Sequence, residues 1–422
     1  MFKMNNNTPK TKIVNDPVLG LIDFSSPLIL ALMEHPWLQR LRRIKQLGMS
    51  DMVYPGAQHT RFLHTIGATS LMRLAIDTLR MKGAEITDHE AESAMAAIML
   101  HDIGHCPFSH ALEYHIADVC HEDISLVFMQ ELNKQMGGKL DTAIEIFTGV
   151  YPKKYLSQLV SGQLDVDRLD YLRRDSFFTG VSEGIVSTDR IIKMLEVVDD
   201  KLVVEKKGIY SIEKFLIARR LMYWQVYLHK TVHSAEHLLI NILRRAKMLM
   251  AQGEDLFASP AFKYFLSNHV TIDDFRDSTV RSNGMTTLEN FAMLDDGDLM
   301  VAIKVWQSHS DKVLSMLCRD LINRRLPKTI VQDQPADSGM VKLLQEEVMK
   351  RYNLTADEAS YFVSSGTIAN KAYSQQHDQI LIKEKDGTVT EIVNVADMLN
   401  IRALSTTISK YYLSWPKEIT NR

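Results

Sequence analysis

The feature of the sequence that most constrains its fold is an apolar stretch, ESAMAAIML (residues 92–100), that leads directly into HDIGHCPFSH (residues 101–110). The small apolar residues predict a helix that is buried on most of its sides. The next ten residues bring three histidines and an aspartate to the end of that helix. Because an isolated buried charge costs roughly several kcal/mol, these side chains need partners. A metal ion, a reacting anion or a hydrogen-bond network would each supply them.

Helical periodicity continues over most of the chain. The stretch SPLILALMEHPWLQRLRRIKQLG predicts two short helices that are separated at Pro36. A helix is predicted to begin at Pro107, a favoured first position, and another to begin at His121. Residues 210–250 contain no Pro or Gly and predict one very long helix.

Strand signals are few. The segment KLVVEKKGIY (residues 201–210) predicts a short hairpin, and QILIKEKDGTVTEIVNV (residues 379–395) predicts a stronger one that turns at Asp386–Gly387. We therefore expect a mainly α protein, with a helical core and a smaller C-terminal α+β segment that contains one or two β-hairpins. The predicted division is an N-terminal segment 1–60, a core 61–250, a helical extension 251–330 and a C-terminal segment 331–422.

Composition narrows the class of protein. The formal net charge is -3, and 45% of residues are hydrophobic, as in ordinary soluble domains. Overall charge gives nucleic-acid binding no support, although a basic groove formed on assembly stays open. The three cysteines do not form a disulfide framework. No apolar run approaches the roughly 20 residues that a membrane span needs. The first residues show no pattern of a secretory signal. We expect a cytoplasmic protein without a membrane partner.

Side chains that could bind a metal collect at four places. They are His64, the adjacent pair His101 and Asp102, Asp167, and a group of further histidines; that group comprises His105, His110 and His121. Mixed imidazole and carboxylate ligation suits Fe, Mn, Zn, Ni or Co, and Mg less well. The alternatives are histidines satisfied within the core or at the surface, and a solvated acidic face around Asp167.

Four motifs in this order, RFLHTIG, HDIGHCPFSH, HED and DVDRLDYLRRDSFFTGV, resemble the HD-domain phosphohydrolases. The resemblance is strongest to the branch of deoxynucleoside triphosphate (dNTP) triphosphohydrolases. It implies that the core is an HD domain and that the metal is bound by His64, His101, Asp102 and Asp167. It also implies hydrolysis between the α-phosphate and the 5′ oxygen, which releases a deoxynucleoside and inorganic triphosphate.

The same resemblance implies roles around the scissile bond. His110 and His121 would face it, with His105 close by, and Glu113 and Glu122 would tune the histidines. Of the two facing histidines we favour His110 as the general acid. The implied substrate-binding residues are Gln46, Leu47, Arg61, Arg168, Tyr171, Asp175, Arg219 and Tyr227, of which Gln46 and Asp175 would read the 3′-hydroxyl, and Leu47 and Tyr227 would exclude a 2′-hydroxyl. Each has an alternative structural role, as an ion pair, a helix end or a core aromatic residue.

Related enzymes also suggest an activating nucleotide at a subunit interface, and homo-oligomers such as dimers or tetramers. The matching positions are Lys12, Asn15, Glu34, Arg42, Arg324 and Lys328. Glu34 stands in place of an aspartate and Leu21 in place of a histidine, and the alternative is a set of solvated surface residues.

Two further functions compete with dNTP hydrolysis. One is an HD phosphohydrolase that acts on another nucleotide or a phosphomonoester. The other is a non-catalytic metal-holding protein that binds nucleic acid. The preferred dNTP, the native metal and the role of the C-terminal segment stay open at this point.

Overall fold

The computed structural model of the protein describes residues 11–370, 373, 379–397 and 406–419. Its architecture is mainly α, as the periodicity predicts. The helices through the core are α1 (Pro27–Glu34), α2 (Pro36–Gln39), α3 (Arg61–Met81), α4 (Asp88–Leu100), α5 (His121–Gln135), α6 (Asp141–Phe147), α7 (Lys154–Val160), α8 (Val166–Thr179), α9 (Thr188–Met194), α10 (Ile209–Met222) and α11 (Lys230–Ala251). The later helices are α12 (Pro260–Ser267), α13 (Ile272–Arg276), α14 (Thr287–Met293), α15 (Asp296–Trp306), α16 (Lys312–Ile322), α17 (Ser338–Tyr352), α18 (Ala356–Ala359) and α19 (Ile392–Val395).

Three small antiparallel or mixed sheets accompany the helices. Their strands are β1 (Lys12–Asp16), β2 (Gly20–Phe24), β3 (Leu195–Val198), β4 (Lys201–Glu205), β5 (Lys328–Gln332), β6 (Ser364–Asn370), β7 (Leu381–Lys383), β8 (Val389–Glu391) and β9 (Ile408–Trp415). Strands β1 and β2 form a hairpin, the second sheet has the order β3-β4-β7-β8, and the third has the order β5-β9-β6. The β7–β8 hairpin around Asp386–Gly387 confirms the stronger strand prediction.

The C-terminal strands pair with the helical core. Strand β7 pairs in parallel with β4, with Val203 opposite Leu381, so the C-terminal hairpin extends a sheet that begins between α9 and α10. The shorter predicted hairpin was wrong in its position: β4 pairs with the preceding β3, through a turn at Asp199 and Asp200, where both residues have positive φ.

The core forms around α3, which packs against α4 on one side and α8 on the other. Helix α4 begins with a capping box between Thr87 and Glu90, and its alanines and Ile98 are buried. Helix α3 comes close to α8 at Gly67, where an added Cβ would overlap with side chains of Asp170 and Arg174. The absence of a side chain at Gly67 therefore sets the spacing of the two helices.

Two helix predictions were wrong. The segment that follows Pro107 forms only a short 3-10 turn at Ser109–Leu112, because Phe108, Ser109 and Tyr114 have positive φ, which interrupts an α-helix. The long helix expected over residues 210–250 is divided into α10 and α11 by a π-helical turn at Tyr223–Tyr227. His229 then takes an extended conformation, and its Nδ1 accepts a hydrogen bond from the backbone N–H of Thr231 at 3.2 Å.

Among the described residues, none of the helices combines the length and the apolar character needed to cross a membrane. The predicted boundary between the helical extension and the C-terminal segment, at residues 330 and 331, falls within β5, which pairs with β9.

Candidate metal centre and active site

Four side chains from three helices converge on one point in the core. His64 lies in the first turn of α3, His101 and Asp102 follow the last residue of α4, and Asp167 lies in the first turn of α8. These four residues, the ligand set, are the ones that the sequence predicted to meet. The structure places them together because α3 packs between the helices that carry the others.

The distances within the ligand set fit a single ion. His64 Nε2 lies 3.0 Å from Asp167 Oδ1 and 3.6 Å from Asp102 Oδ2. His101 Nε2 lies 3.2 Å from Asp102 Oδ1 and 3.5 Å from Asp167 Oδ1. Ligands at about 2.1 Å from a shared ion are separated by roughly 3.0–3.5 Å, and the distances here, from 3.0 to 3.6 Å, are close to that spacing.

Hydrogen bonds behind the ligand set fix the tautomers of both histidines. His64 Nδ1 donates to Asp170 Oδ2 at 2.8 Å, and His101 Nδ1 donates to the carbonyl oxygen of Ile98 at 2.6 Å. When neutral, each imidazole then carries its lone pair on Nε2, and neither of these buried Nε2 atoms makes a hydrogen bond with a described residue. Two unpartnered buried lone pairs beside two carboxylates are what a divalent cation requires.

A buried ion pair supports His64 from behind. Asp170 accepts two hydrogen bonds from Arg174 at 2.8 Å each, and Arg174 also donates to Asp16 at 2.8 Å. Asp170 and Arg174 lie three and seven residues after Asp167 and form with it one polar stripe along α8. Their burial shows that the inner part of the stripe orients a ligand and is not a solvated acidic face.

Arg61 binds the ligand set directly. Its guanidinium donates to Asp102 Oδ2, and its Nε donates to Ser109 Oγ at 2.7 Å. Burial opposes ionisation of Asp102, but the nearby charge of Arg61 holds the pKa of that carboxyl well below its usual value. Asp102 is thus an anion in the protein.

The second group of histidines, His105, His110 and His121, lies beside the ligand set and is called here the histidine triad. The ring centroids of His105 and His121 are 3.9 Å apart, and those of His110 and His121 are 5.1 Å apart. Burial holds the pKa of His105 well below its usual value. The structure therefore brings together all three histidines that the sequence singled out.

Glu113 joins two members of the histidine triad. Its Oε2 accepts from His110 Nδ1 at 2.8 Å, and its Oε1 accepts from His121 Nδ1 at 2.6 Å. Although burial opposes ionisation, these hydrogen bonds hold the pKa of Glu113 well below its usual value. Glu122 is exposed at the rim, and no hydrogen bond joins it to a histidine among the described residues.

A cavity of about 770 Å³ opens over His101, Asp102 and Asp167 of the ligand set and over the histidine triad. Most of the predicted substrate-binding residues line it, namely Gln46, Leu47, Arg61, Arg168, Tyr171, Asp175 and Tyr227. Arg219 is the exception, because it is buried behind the cavity wall, with Nη1 3.3 Å from Gln163 Oε1. Burial raises the pKa of Tyr171, and the positive charge of Arg219 acts in the opposite direction on that pKa.

One wall of the cavity carries a rigid polar arrangement. Tyr227 Oη donates to Asp175 Oδ2 at 2.8 Å, and His59 Nε2 lies 2.7 Å from Asp175 Oδ1. The His59 ring stacks on Phe178 with centroids 4.4 Å apart. The π-helical turn that ends α10 is what turns Tyr227 toward Asp175.

Sequence reasoning missed several residues of this site. His59, Ser109 and Tyr223 carried no signal beyond their nearness to recognised motifs. Glu236 on α11 also lines the cavity, and burial raises the pKa of its carboxyl to about 8. Nothing in the helical pattern of residues 230–251 marks Glu236, because its carboxyl lies beside Gly48, which is distant in sequence.

The six positions suggested for an activator are spread over several elements. Lys12 and Glu34 form an exposed ion pair with a distance of 3.3 Å, and Asn15 is exposed on the same hairpin as Lys12. Arg42 stacks over Phe62 at 3.7 Å, Arg324 donates to the carbonyl oxygen of Met52, and Lys328 lies over the Trp415 ring at 5.2 Å. Among the six, the structure pairs only Lys12 with Glu34.

Comparison with known proteins places these observations in a family. Residues 61–175 match the model of the HD domain, and residues 186–259 match that of an HD associated region. The chain is 34% identical to the uncharacterized protein YwfO of Bacillus subtilis, over 76% of this chain and 72% of that one. It is 24% identical to human deoxynucleoside triphosphate triphosphohydrolase SAMHD1, over 80% of this chain and 57% of that protein.

A solved structure is more similar. The crystal structure of a phosphohydrolase from Bacteroides thetaiotaomicron superposes with a TM-score of 0.91 at 53% identity, and the match covers 96% of this chain and 100% of that one. Together with the HD-domain match and the geometry of the ligand set, these similarities show that the chain belongs to the HD-domain phosphohydrolase superfamily, in its deoxynucleoside triphosphate triphosphohydrolase-like branch.

Proposed function

We propose that this protein hydrolyses dNTPs to a deoxynucleoside and inorganic triphosphate, with a divalent ion held by His64, His101, Asp102 and Asp167. The observation that carries the proposal is the content of one cavity. His101, Asp102 and Asp167 of the ligand set, the histidine triad and the Tyr227–Asp175 pair all face the same space of about 770 Å³. A nucleotide needs a group of each kind: one for its reacting phosphate, one for its leaving oxygen and one for its sugar.

An ion bound at the ligand set would lower the pKa of water and polarise a phosphoryl oxygen. The remaining charge of the triphosphate requires cations from the chain. Arg61 and Arg168 line the cavity and supply two. The position of Arg61, between Asp102 and Ser109, ties this cation rigidly to the ligand set, which favours catalysis by preorganised charge.

The histidine triad would serve the leaving group. When water attacks the α-phosphorus, the bond to the 5′ oxygen breaks and that oxygen takes up a proton. His110 and His121 can hold such a proton on Nε2, because Glu113 stabilises the charged imidazolium through Nδ1. General acid catalysis of this kind contributes about a hundredfold or more. We favour His110 as the donor because its side chain is 65% exposed and can follow the substrate.

The sugar would be selected by Leu47, Tyr227 and Asp175. Asp175 and Gln46 are suited to the 3′-hydroxyl, since both offer oxygen acceptors on the cavity wall. Tyr227 is held in place by its hydrogen bond to Asp175, so its ring cannot retreat from a larger sugar. A fixed wall against the 2′ carbon disfavours ribose by steric exclusion.

The proposal is tested by incubating the metal-loaded protein with each dNTP, each NTP and a generic phosphomonoester. The expected products are inorganic triphosphate and a deoxynucleoside, from dNTPs alone. Release of orthophosphate from the other substrates would instead indicate a different HD phosphohydrolase. No turnover of any substrate, combined with retention of oligonucleotides, would indicate a non-catalytic metal-holding protein that binds nucleic acid. Asp167→Ala is the negative control and Asp77→Ala, an exposed position on α3, is the matched surface control.

Activation and assembly are further parts of the proposal. A single chain pairs only Lys12 and Glu34 among the activator positions, so a complete activator site would need residues from a second copy. We expect a dimer or tetramer in solution whose population rises when a nucleotide is added. Sedimentation velocity with and without each nucleoside triphosphate measures this directly.

A further inference from the structure

The histidine triad is arranged to present three lone pairs to one point. His105 Nδ1 lies 3.2 Å from the carbonyl oxygen of Asp102. A carbonyl oxygen only accepts hydrogen bonds, so Nδ1 carries the proton and Nε2 carries the lone pair. That Nε2 is buried and has no hydrogen-bond partner among the described residues. A buried nitrogen of this kind needs a ligand from the cavity.

The other two histidines are oriented by one carboxylate. Glu113 accepts from Nδ1 of both His110 and His121, which leaves Nε2 of each ring free to face the cavity. A carboxylate behind a histidine is the usual support of a histidine that binds a metal, since it fixes the tautomer and makes the ring a better donor. Here one glutamate supports two ligands.

The spacing of the triad allows a common ion. One nitrogen from each ring lies within 4.8 Å of the others. Three nitrogens at about 2.1 Å from a tetrahedral ion are roughly 3.4 Å apart, so a ring movement of at most roughly 1.4 Å brings them to that spacing. His105 is fixed by burial, with 2% of its side chain exposed, whereas the side chain of His110 is 65% exposed and can make that movement.

We propose that His105, His110 and His121 form a second metal site, separate from the ligand set and selective for Zn²⁺ and similar ions. Three imidazoles with a fourth position open to the cavity match the coordination that Zn²⁺ adopts with three histidines. The triad offers no carboxylate oxygen of its own, so Mg²⁺ and Ca²⁺, which prefer oxygen ligands, bind it poorly.

This site has a consequence for activity that rests on the proposed function. A nitrogen that binds an ion cannot also deliver a proton to the leaving 5′ oxygen. Zn²⁺ beyond the first equivalent therefore inhibits turnover at least tenfold, whereas added Mg²⁺ does not. The triad would make the enzyme sensitive to free zinc while its catalytic ion stays in place.

The test is the stoichiometry of Zn²⁺ bound by the metal-free protein, measured by equilibrium dialysis and elemental analysis. We expect two equivalents for the wild type and one for His110→Ala, whose exposed position leaves folding intact. Glu113→Gln keeps both sites but weakens the second by about 10–100-fold. Asp167→Ala weakens Zn²⁺ binding at the ligand set and retains the equivalent that the histidine triad binds. His89→Ala removes an exposed histidine elsewhere and keeps two equivalents.

Cobalt provides a second readout that does not depend on turnover. Co²⁺ in a tetrahedral site of three nitrogens and water absorbs visible light more strongly than octahedral Co²⁺, so the second equivalent should add an intense band that His110→Ala removes. A wild type that binds one equivalent, or a His110→Ala variant that binds two, would overturn the proposal. Both results are independent of dNTP hydrolysis, so an inactive protein that binds two equivalents would refute the proposed function alone.

Discussion

Replacing Gly67 with alanine tests whether the close approach of α3 and α8 builds the metal site. An ideal Cβ on Gly67 would overlap with Arg174 Nη2 and Asp170 Oδ1, and would lie 3.0 Å from Asp170 Cγ. The helices must then separate, or the buried Asp170–Arg174 pair must open. Either response moves Asp170, which holds Nδ1 of His64 at 2.8 Å.

The cost of the Gly67→Ala substitution follows from these contacts. Overpacking of a tight core costs about 1–3 kcal/mol, and opening a buried ion pair costs about 3–5 kcal/mol. The better helix propensity of alanine returns about 1 kcal/mol. We therefore expect the free energy of unfolding to fall by up to about 2 kcal/mol if the helices separate, and by about 2–4 kcal/mol if the ion pair opens. A shift of His64 by about 1 Å should also lower the turnover number by about a hundredfold.

Urea unfolding and metal titration measure the two effects separately. Metal affinity should fall by about 10–100-fold, since the residue that orients a ligand is displaced. Ser70→Ala is the matched control, because Ser70 is half-buried on the same helix and the substitution adds no atom there. Its free energy of unfolding should change by less than about 0.5 kcal/mol. A Gly67→Ala protein with wild-type stability and metal affinity would refute the reasoning.

Three further predictions concern the cavity. His101→Ala and Asp167→Ala should each lose the bound divalent ion and reduce triphosphate release to background, as measured by elemental analysis and product assay. Burial raises the pKa of Glu236 to about 8. The folded protein therefore keeps a proton on Glu236 that the unfolded protein loses above about pH 4.5. As a result, the free energy of unfolding falls as pH rises toward 8, by at most about 1.4 kcal/mol per pH unit. Glu236→Gln removes this contribution, and the difference between its urea midpoint and that of the wild type should grow over that range and then level off. Tyr227→Ala should raise the ratio of NTP to dNTP hydrolysis by about tenfold, whereas Tyr210→Ala, an exposed control, should leave it unchanged.

Each of these has a result that contradicts it. Full metal content and turnover in either ligand variant would mean that the ion binds elsewhere. A stability difference between Glu236→Gln and the wild type that does not vary with pH would mean that the carboxyl is already ionised in the folded protein. An unchanged sugar preference in Tyr227→Ala would remove the proposed wall against ribose.

The sequence identified the residues that converge at the candidate metal centre but not the contacts that support them. His64, His101, Asp102 and Asp167 were recognisable because motifs in a fixed order carry them. Asp170 and Arg174 were not singled out by the sequence as site residues, and the pairing of Arg174 with Asp16 depends on the β1–β2 hairpin, which is distant in sequence. His59 and Glu236 gave no signal, since each acquires its role from residues more than a hundred positions away.

The sequence by itself determined the mainly helical architecture, the strand pair around Asp386–Gly387 and the identity of the ligand set, because periodicity and short motifs are local properties of the chain. The tertiary structure decided the π-helical turn before His229, the irregular segment after Pro107 and the pairing of β7 with β4. It also decided which histidines face one cavity. These features depend on packing between distant segments, whose favourable contacts outweigh the local preference for a continuous helix.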